Sequence, residues 1–161
     1  MVNVTLEYMI MIPLMIFEII LFPYVANLMM NNWAVDKETL QLQEAATSIG
    51  SSIGQIYTAL NHDTISTVNV TSTINSPKII DGYIFTAKGT LRTALDSVLN
   101  STKILDLTLT LNGTKIEATT SVILGSNVSW DNSSAFVSNS YNAAIISEKL
   151  SNGTIYLYFA S

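Results

Sequence analysis

Few groups in this chain could do chemistry, and the most constrained of them is a carboxylate. Glu18 lies inside an otherwise apolar run from Tyr8 to Met30. A charged side chain at the centre of a membrane helix costs about 2.5–3.5 kcal/mol on insertion scales, so it is normally kept where a partner neutralises it or where it faces a protein interior. Glu7 comes eleven residues earlier. At about 100° per residue that spacing returns to within about 20° of the same helix face, three turns along, so one neighbour can meet both acids. Two readings stand side by side: contacts in an assembly, and a plain membrane anchor that tolerates one acid. The arm holds no Lys or Arg to pair with Glu18. Candidate partners are an amino terminus, Asn27, or a backbone amide freed near Pro13 or Pro23 of a neighbouring copy; a protonated, hydrogen-bonded Glu18 is the alternative.

A catalytic set cannot be assembled from what remains. His62 is the single histidine and there is no cysteine. His62 falls where a helix hands over to a loop and reads as a capping or solvent group. Without it no Ser/His/Asp arrangement exists, and without cysteine there is no thiol nucleophile, disulfide or thiolate metal site. No glycine-rich phosphate loop, zinc spacing or EF-hand pattern occurs. Asp131-Asn132-Ser133 offers one acid with two polar neighbours, a thin donor set for a cation. The expectation is a protein that is not an enzyme, with no cofactor and no metal. The net charge of −5 and the absence of a Lys/Arg cluster count against nucleic acid as a partner.

The elements that must carry these residues divide the chain in two. Its 161 residues are 48% hydrophobic and only 12% charged, which suits one apolar arm plus one domain whose polarity comes from Ser, Thr and Asn. Residues 8–30 would span about 35 Å as a helix, enough to cross a bilayer core. Pro13 and Pro23 are expected to kink or locally unwind it. Beyond the interfacial Trp33, Asp36 can cap a second stretch in which Leu42, Ala45, Ala46, Ile49, Ile53, Ile56, Tyr57 and Leu60 recur at three-to-four spacing. Gly50 and Gly54, one turn apart, permit close approach of another backbone, whether a neighbour's helix or this chain's own domain. Asn61 is a natural stop. Residues 1–62 therefore read as one bent helix, hydrophobic over 8–33 and amphipathic over 36–60.

From residue 63 to 161 the period changes to two. Leu105, Leu107, Leu109 and Leu111 alternate with polar residues, Asn112-Gly113 signals a hairpin, and Ile116, Ala118, Val122 and Leu124 return. A second hairpin is expected from 142–150 and 154–160 around Ser151-Asn152-Gly153, with Ile155, Leu157 and Phe159 on one face and Tyr156 and Tyr158 on the other. Residues 65–74 and 78–87 also read as strands, whereas 90–99 fits a short helix better. The fold class is α+β: a long helix followed by a small antiparallel β-sandwich of immunoglobulin-like size. This half is dense in Asn-x-Ser/Thr acceptor motifs at Asn69, Asn100, Asn112, Asn127, Asn132 and Asn152, with a further one at Asn3 in the arm. Asn112 and Asn152 precede glycine, as a tight turn would want in any case. Attached glycans would place the domain outside the cell.

An early acid, a long apolar helix turning amphipathic, and a small β-domain together resemble a type IV pilin, particularly the archaeal kind. The stretch from Leu6 to Glu18, with Glu7, a proline six residues later at Pro13 and a second acid at Glu18, is similar to the start of TadE-like pilins. The resemblance covers about residues 4–60. It implies that the chain is stored in the membrane by its arm and then polymerises into an extracellular filament at the cell surface, a helical homopolymer with the head domains outward and glycosylated. Glu7 would be the early acid that pairs near a subunit's N-terminus, and a prepilin peptidase and assembly machinery would be partners. Family precursors carry a short basic leader, whereas the first basic residue here is Lys37 and the early acid is at position 7. Either a leader has been removed or insertion proceeds without that processing. The implied role is adhesion; an archaellum-type motility filament and a monomeric membrane-anchored surface binding domain are the alternatives.

Overall fold

The computed structural model of the chain describes residues 2–94 and 102–161, with side chains from Tyr8 onward. A single helix, α1, runs from Val2 to Leu60 and passes through both Pro13 and Pro23. Neither proline interrupts it, so of the two outcomes expected there, a kink or a local unwinding, the unwinding is absent. Each removes only the bond to the carbonyl four residues back, Met9 or Ile19, while its fixed φ is already helical and the remaining ladder holds. Asp36 likewise caps nothing, since it lies inside the unbroken helix. Two compact units nevertheless exist, Met1–Lys37 and Glu38–Ser161. The division falls within α1, and the second half of the helix is part of the head's core. Leu42, Ala45, Ala46, Ile49, Ile53 and Leu60 are buried in one cluster with residues from the strands, at the spacing that puts them on one helix face.

In the head, eight strands among the described residues follow the helix: β1 (Val68–Thr73), β2 (Phe85–Thr93), β3 (Lys103–Leu111), β4 (Glu117–Leu124), β5 (Val128–Trp130), β6 (Ala135–Val137), β7 (Ala144–Lys149) and β8 (Ile155–Ala160). They form two four-stranded sheets, ordered β1-β7-β8-β5 and β4-β3-β2-β6. A helix followed by two mostly antiparallel sheets is the α+β arrangement expected. One pairing departs from it: β5 runs parallel to β8, with Val128 opposite Ile155. Each inner face follows from alternation. Leu105, Leu107, Leu109 and Leu111 are buried on β3, and Ile155, Leu157 and Phe159 on β8, while the residues between them are half-exposed.

Aromatic edges join the two sheets. Phe136 of β6 meets Phe159 of β8 at 5.0 Å between ring centroids, and Phe159 meets Trp130 of β5 at 4.9 Å, both nearly perpendicular. Trp130 also lies against β2, where its indole N–H donates to the carbonyl of Gly89 at 3.0 Å. Gly89 is obligatory there, since a Cβ would fall 2.5 Å from the indole ring.

Both expected hairpins are present. The first pairs Thr110 with Glu117 and closes through a longer loop than a two-residue turn, with the Leu111 N–H donating to the Ile116 carbonyl and Gly113 at φ 85°. The segment 78–84 is not the strand expected. It is a turn closed by the bridge between Ile80 and Tyr83, with Asp81 and Gly82 both at positive φ, and Ser138 ties it to β2 by donating to the Lys78 carbonyl and accepting from the Phe85 N–H. Residues 90–93, expected in a helix, extend β2 because β3 supplies partners as far as Thr93 opposite Lys103. Residues 95–99 of that expected helix lie outside the described residues.

Candidate functional site

The arm is apolar around its whole circumference. Every large hydrophobic side chain from Tyr8 to Val35 is at least 42% exposed within the chain, and the arm is long and apolar enough to cross a membrane. A helix without a polar stripe has no face to give to water, so it must be enclosed by lipid or by other helices. Glu18 and Asn27 are exposed on this surface, as are Pro13 and Pro23. Glu18 borders a concavity of about 840 Å³ with Met15, Ile19, Phe22 and Pro23. That groups the carboxylate with the turn in which Pro23 leaves the Ile19 carbonyl without a helical donor. The Glu7 side chain lies outside the described residues, so the shared face of the two acids stays an expectation.

The two helix glycines have different surroundings. A Cβ on Gly50 would stand 3.1 Å from Val122 and 3.2 Å from Thr120, so β4 of the same chain takes the close approach. On Gly54 a Cβ would stand at an ordinary 3.7 Å from Val122. Gly54 instead opens onto a surface groove of about 920 Å³ between the helix and β4, lined also by Thr47, Ser51, Thr58 and the exposed Ile123.

The helix end is closed by a residue far along the chain. The last turn of α1 contains no basic residue, and the buried Lys149 of β7 supplies the charge, donating to the carbonyls of Leu60 at 2.8 Å and His62 at 3.0 Å. A cation on orphan C-terminal carbonyls is favoured by both hydrogen bonding and the helix dipole. Sequence reasoning missed this contact. The available signal was a Lys in phase with Ile145 and Ser147 on the inward face of β7. His62 does fall at the helix-to-loop junction, with its ring nitrogen 3.0 Å from the Thr64 hydroxyl.

The acceptor motifs fall into distinct environments. Asn69 is exposed on β1, with Thr71 on the same outward face. Asn152 is exposed in the β7–β8 turn, its side-chain Oδ1 accepting from the Thr154 N–H. Asn112 is half-buried and accepts from the Thr86 hydroxyl, while its Thr114 hydroxyl is bonded to the loop backbone. Asn127 donates from Nδ2 to both the Asn61 side chain and the Gly153 carbonyl. Asn132 is exposed, but the hydroxyl two residues on, Ser134, is buried between the Asp131 carbonyl and the Phe159 N–H. Asn100 lies outside the described residues, and so does the side chain of Asn3.

Among the described residues, two acids have altered proton affinity. The Arg92 guanidinium, hydrogen-bonded to Asp106 across β2 and β3, holds that carboxyl below the ordinary carboxylate value, and the Ser121 hydroxyl adds to the effect. Asp131 is lowered by the Ser133 hydroxyl and N–H, which close a local turn on it. Those bonds engage the Asp131-Asn132-Ser133 segment with itself. No cluster of three metal-ligating side chains occurs among the described residues, and no buried side-chain polar atom there lacks a partner. No family model, curated protein or solved structure matches the chain, so its functional reading rests on this geometry and on the resemblance in the sequence.

Proposed function

We propose that this chain is the structural subunit of an extracellular, type IV pilus-like filament: held in the membrane by its arm, processed and extruded by prepilin-type machinery, then polymerised through the arm with an N-glycosylated head outward. The head is read as an immunoglobulin-like sandwich that presents adhesive surface rather than catalysing a reaction. The observation that carries this reading is the all-round apolar arm with Glu18 at its middle, continued by a helix half that is already seated in its own head. Contact with water is prohibitive for such an arm, at about 25 cal/mol per Å² of apolar surface. Lipid and a helix bundle both satisfy the apolar side chains, so the choice between them falls to packing and to polar contacts. Glu18 and the carbonyls freed by the prolines are polar groups that a neighbouring arm can answer and lipid cannot.

A second reading, a monomeric membrane-anchored binding domain, is favoured by the arm's length alone, which suffices to span a bilayer. An archaellum-type motility filament shares the same arm logic. Electron microscopy of sheared cell-surface material separates polymer from monomer. Glu18→Leu tests the role of the acid: it is expected to leave membrane insertion intact and to lower filament yield or alter helical geometry. Filaments of unchanged yield and symmetry in the variant would remove Glu18 from the assembly contact.

A further inference from the structure

We infer that, of the acceptor motifs among the described residues of the head, Asn69 and Asn152 carry glycan, and that Asn112, Asn127 and Asn132 stay unmodified in the folded chain because their motifs hold the fold together. The inference deepens the reading of the head as extracellular and rests on it.

Modification joins an anomeric sugar carbon to Asn Nδ2. The carbon's bond to the phosphate of a glycosyl-phosphate donor breaks, the phosphate leaves with the electron pair, and one amide proton passes to a base of the transferase. A glycosylated amide therefore keeps a single N–H. Asn127 uses both of its hydrogens, one to Asn61 at 3.0 Å and one to Gly153 at 3.1 Å, and so joins the end of the helix to the β7–β8 turn. Attachment there breaks one of those bonds and must place a bulky group at a half-buried position. At Asn132 the amide is accessible, but the motif's hydroxyl is not. Ser134 is buried, donating to the Asp131 carbonyl at 2.7 Å and accepting from the Phe159 N–H at 3.2 Å. Asn112 combines a half-buried amide with a Thr114 hydroxyl bonded on both sides within the loop.

Asn69 and Asn152 present an exposed amide, as Asn132 does, but without a buried motif hydroxyl, since Thr71 is exposed and Thr154 half-buried. Both amides are exposed, and among the described residues no hydrogen bond engages their Nδ2 or the hydroxyls of Thr71 and Thr154. Strand geometry sets Asn69 and Thr71 side by side on one outward face, and Asn152 sits at a turn apex where a bulky group displaces no packed side chain. The two acceptors are also neighbours. Asn69 pairs with Glu148, and the β7–β8 turn that carries Asn152 begins after Lys149 on the same strand. Glycan would gather at that one end of the β1-β7-β8-β5 sheet.

Glycopeptide mass spectrometry of the chain purified from its own cells tests the assignment. Sugar on Asn69 and Asn152, with unmodified peptides covering Asn112, Asn127 and Asn132, is the expected map. In parallel, Asn69→Gln and Asn152→Gln should each lower the intact mass by one glycan and Asn127→Gln by none. Sugar on Asn127, Asn112 or Asn132, or bare Asn69 or Asn152, overturns it. A chain bare at every position overturns both this assignment and the glycosylated head, while micrographs of the same preparation still decide separately whether it polymerises.

Discussion

Replacing Lys149 by methionine keeps the side-chain stem and removes the ammonium that closes α1. Two charge-assisted hydrogen bonds are lost, to Leu60 at 2.8 Å and to His62 at 3.0 Å, and such bonds contribute about 1.5–3 kcal/mol each. The losses are unequal. His62 is exposed, so water can replace the ammonium at its carbonyl, whereas Leu60 is 3% exposed and its carbonyl would be left unpaired, a cost of about 1–3 kcal/mol. Relief from burying a charge offsets part of this. The net expectation is a loss of about 2 kcal/mol, or about 8 °C in Tm for a domain of this size. The assay is urea unfolding of the full chain in detergent, with hydrogen exchange of the peptide covering the last helical turn. Lys149→Arg, which keeps a charged donor, should retain most of the stability and most of the protection. Unfolding of Lys149→Met within about 0.5 kcal/mol of the parent, with unchanged exchange at the helix end, would refute the capping argument.

Gly89→Ala should destabilise the head by about 1–3 kcal/mol or more, because its Cβ would fall 2.5 Å from the Trp130 ring; a blue-shifted, unquenched Trp130 emission and an unchanged midpoint would show that the indole can move aside. The helix glycines should respond oppositely. Gly54→Ala, at 3.7 Å from Val122, is expected to gain about 0.5–1 kcal/mol from helix propensity, while Gly50→Ala, squeezed to 3.1 Å, should gain less or lose; thermal melts of the pair check this, and filament yield shows whether a neighbour uses the space at Gly54. For Asp106 the folded pKa is depressed by Arg92. Its stabilisation is therefore present above the unfolded value of about 3.9 and is lost as pH falls through the folded value. A carboxyl NMR titration should find Asp106 titrating below ordinary aspartates, and Arg92→Gln should move it back up.

The parts of the fold that were legible in sequence are those governed by local period. The three-to-four spacing of Leu42, Ala45, Ile49 and Ile53 marked the helix face that is buried, and the alternation of Leu105 to Leu111 and of Ile155 to Phe159 marked two inner strand faces. What escaped was set by partners distant in sequence. Leu91 belongs to a strand because Leu105 lies opposite it, although its own neighbourhood spaces apolar residues as a helix would. The parallel pairing of β5 with β8 joins segments that no turn connects, so no local signal announces it. The same holds for the site. Glu18 was visible because it violates its surroundings, whereas Asn127 reads in sequence as one acceptor motif among several, and its two bonds depend on Asn61 and Gly153 arriving from opposite directions.

The position of β8 has a consequence for how the head is made. It is the last of the eight strands to be synthesised, yet it is inserted between β7 and β5 and brings Ile155, Leu157 and Phe159 into the core. Until those residues emerge, β5 has no neighbour in its sheet and the ring contacts of Trp130 and Phe136 with Phe159 cannot form. The β1-β7-β8-β5 sheet therefore closes only once β8 is available, whereas the β4-β3-β2-β6 sheet draws all of its strands from residues made earlier.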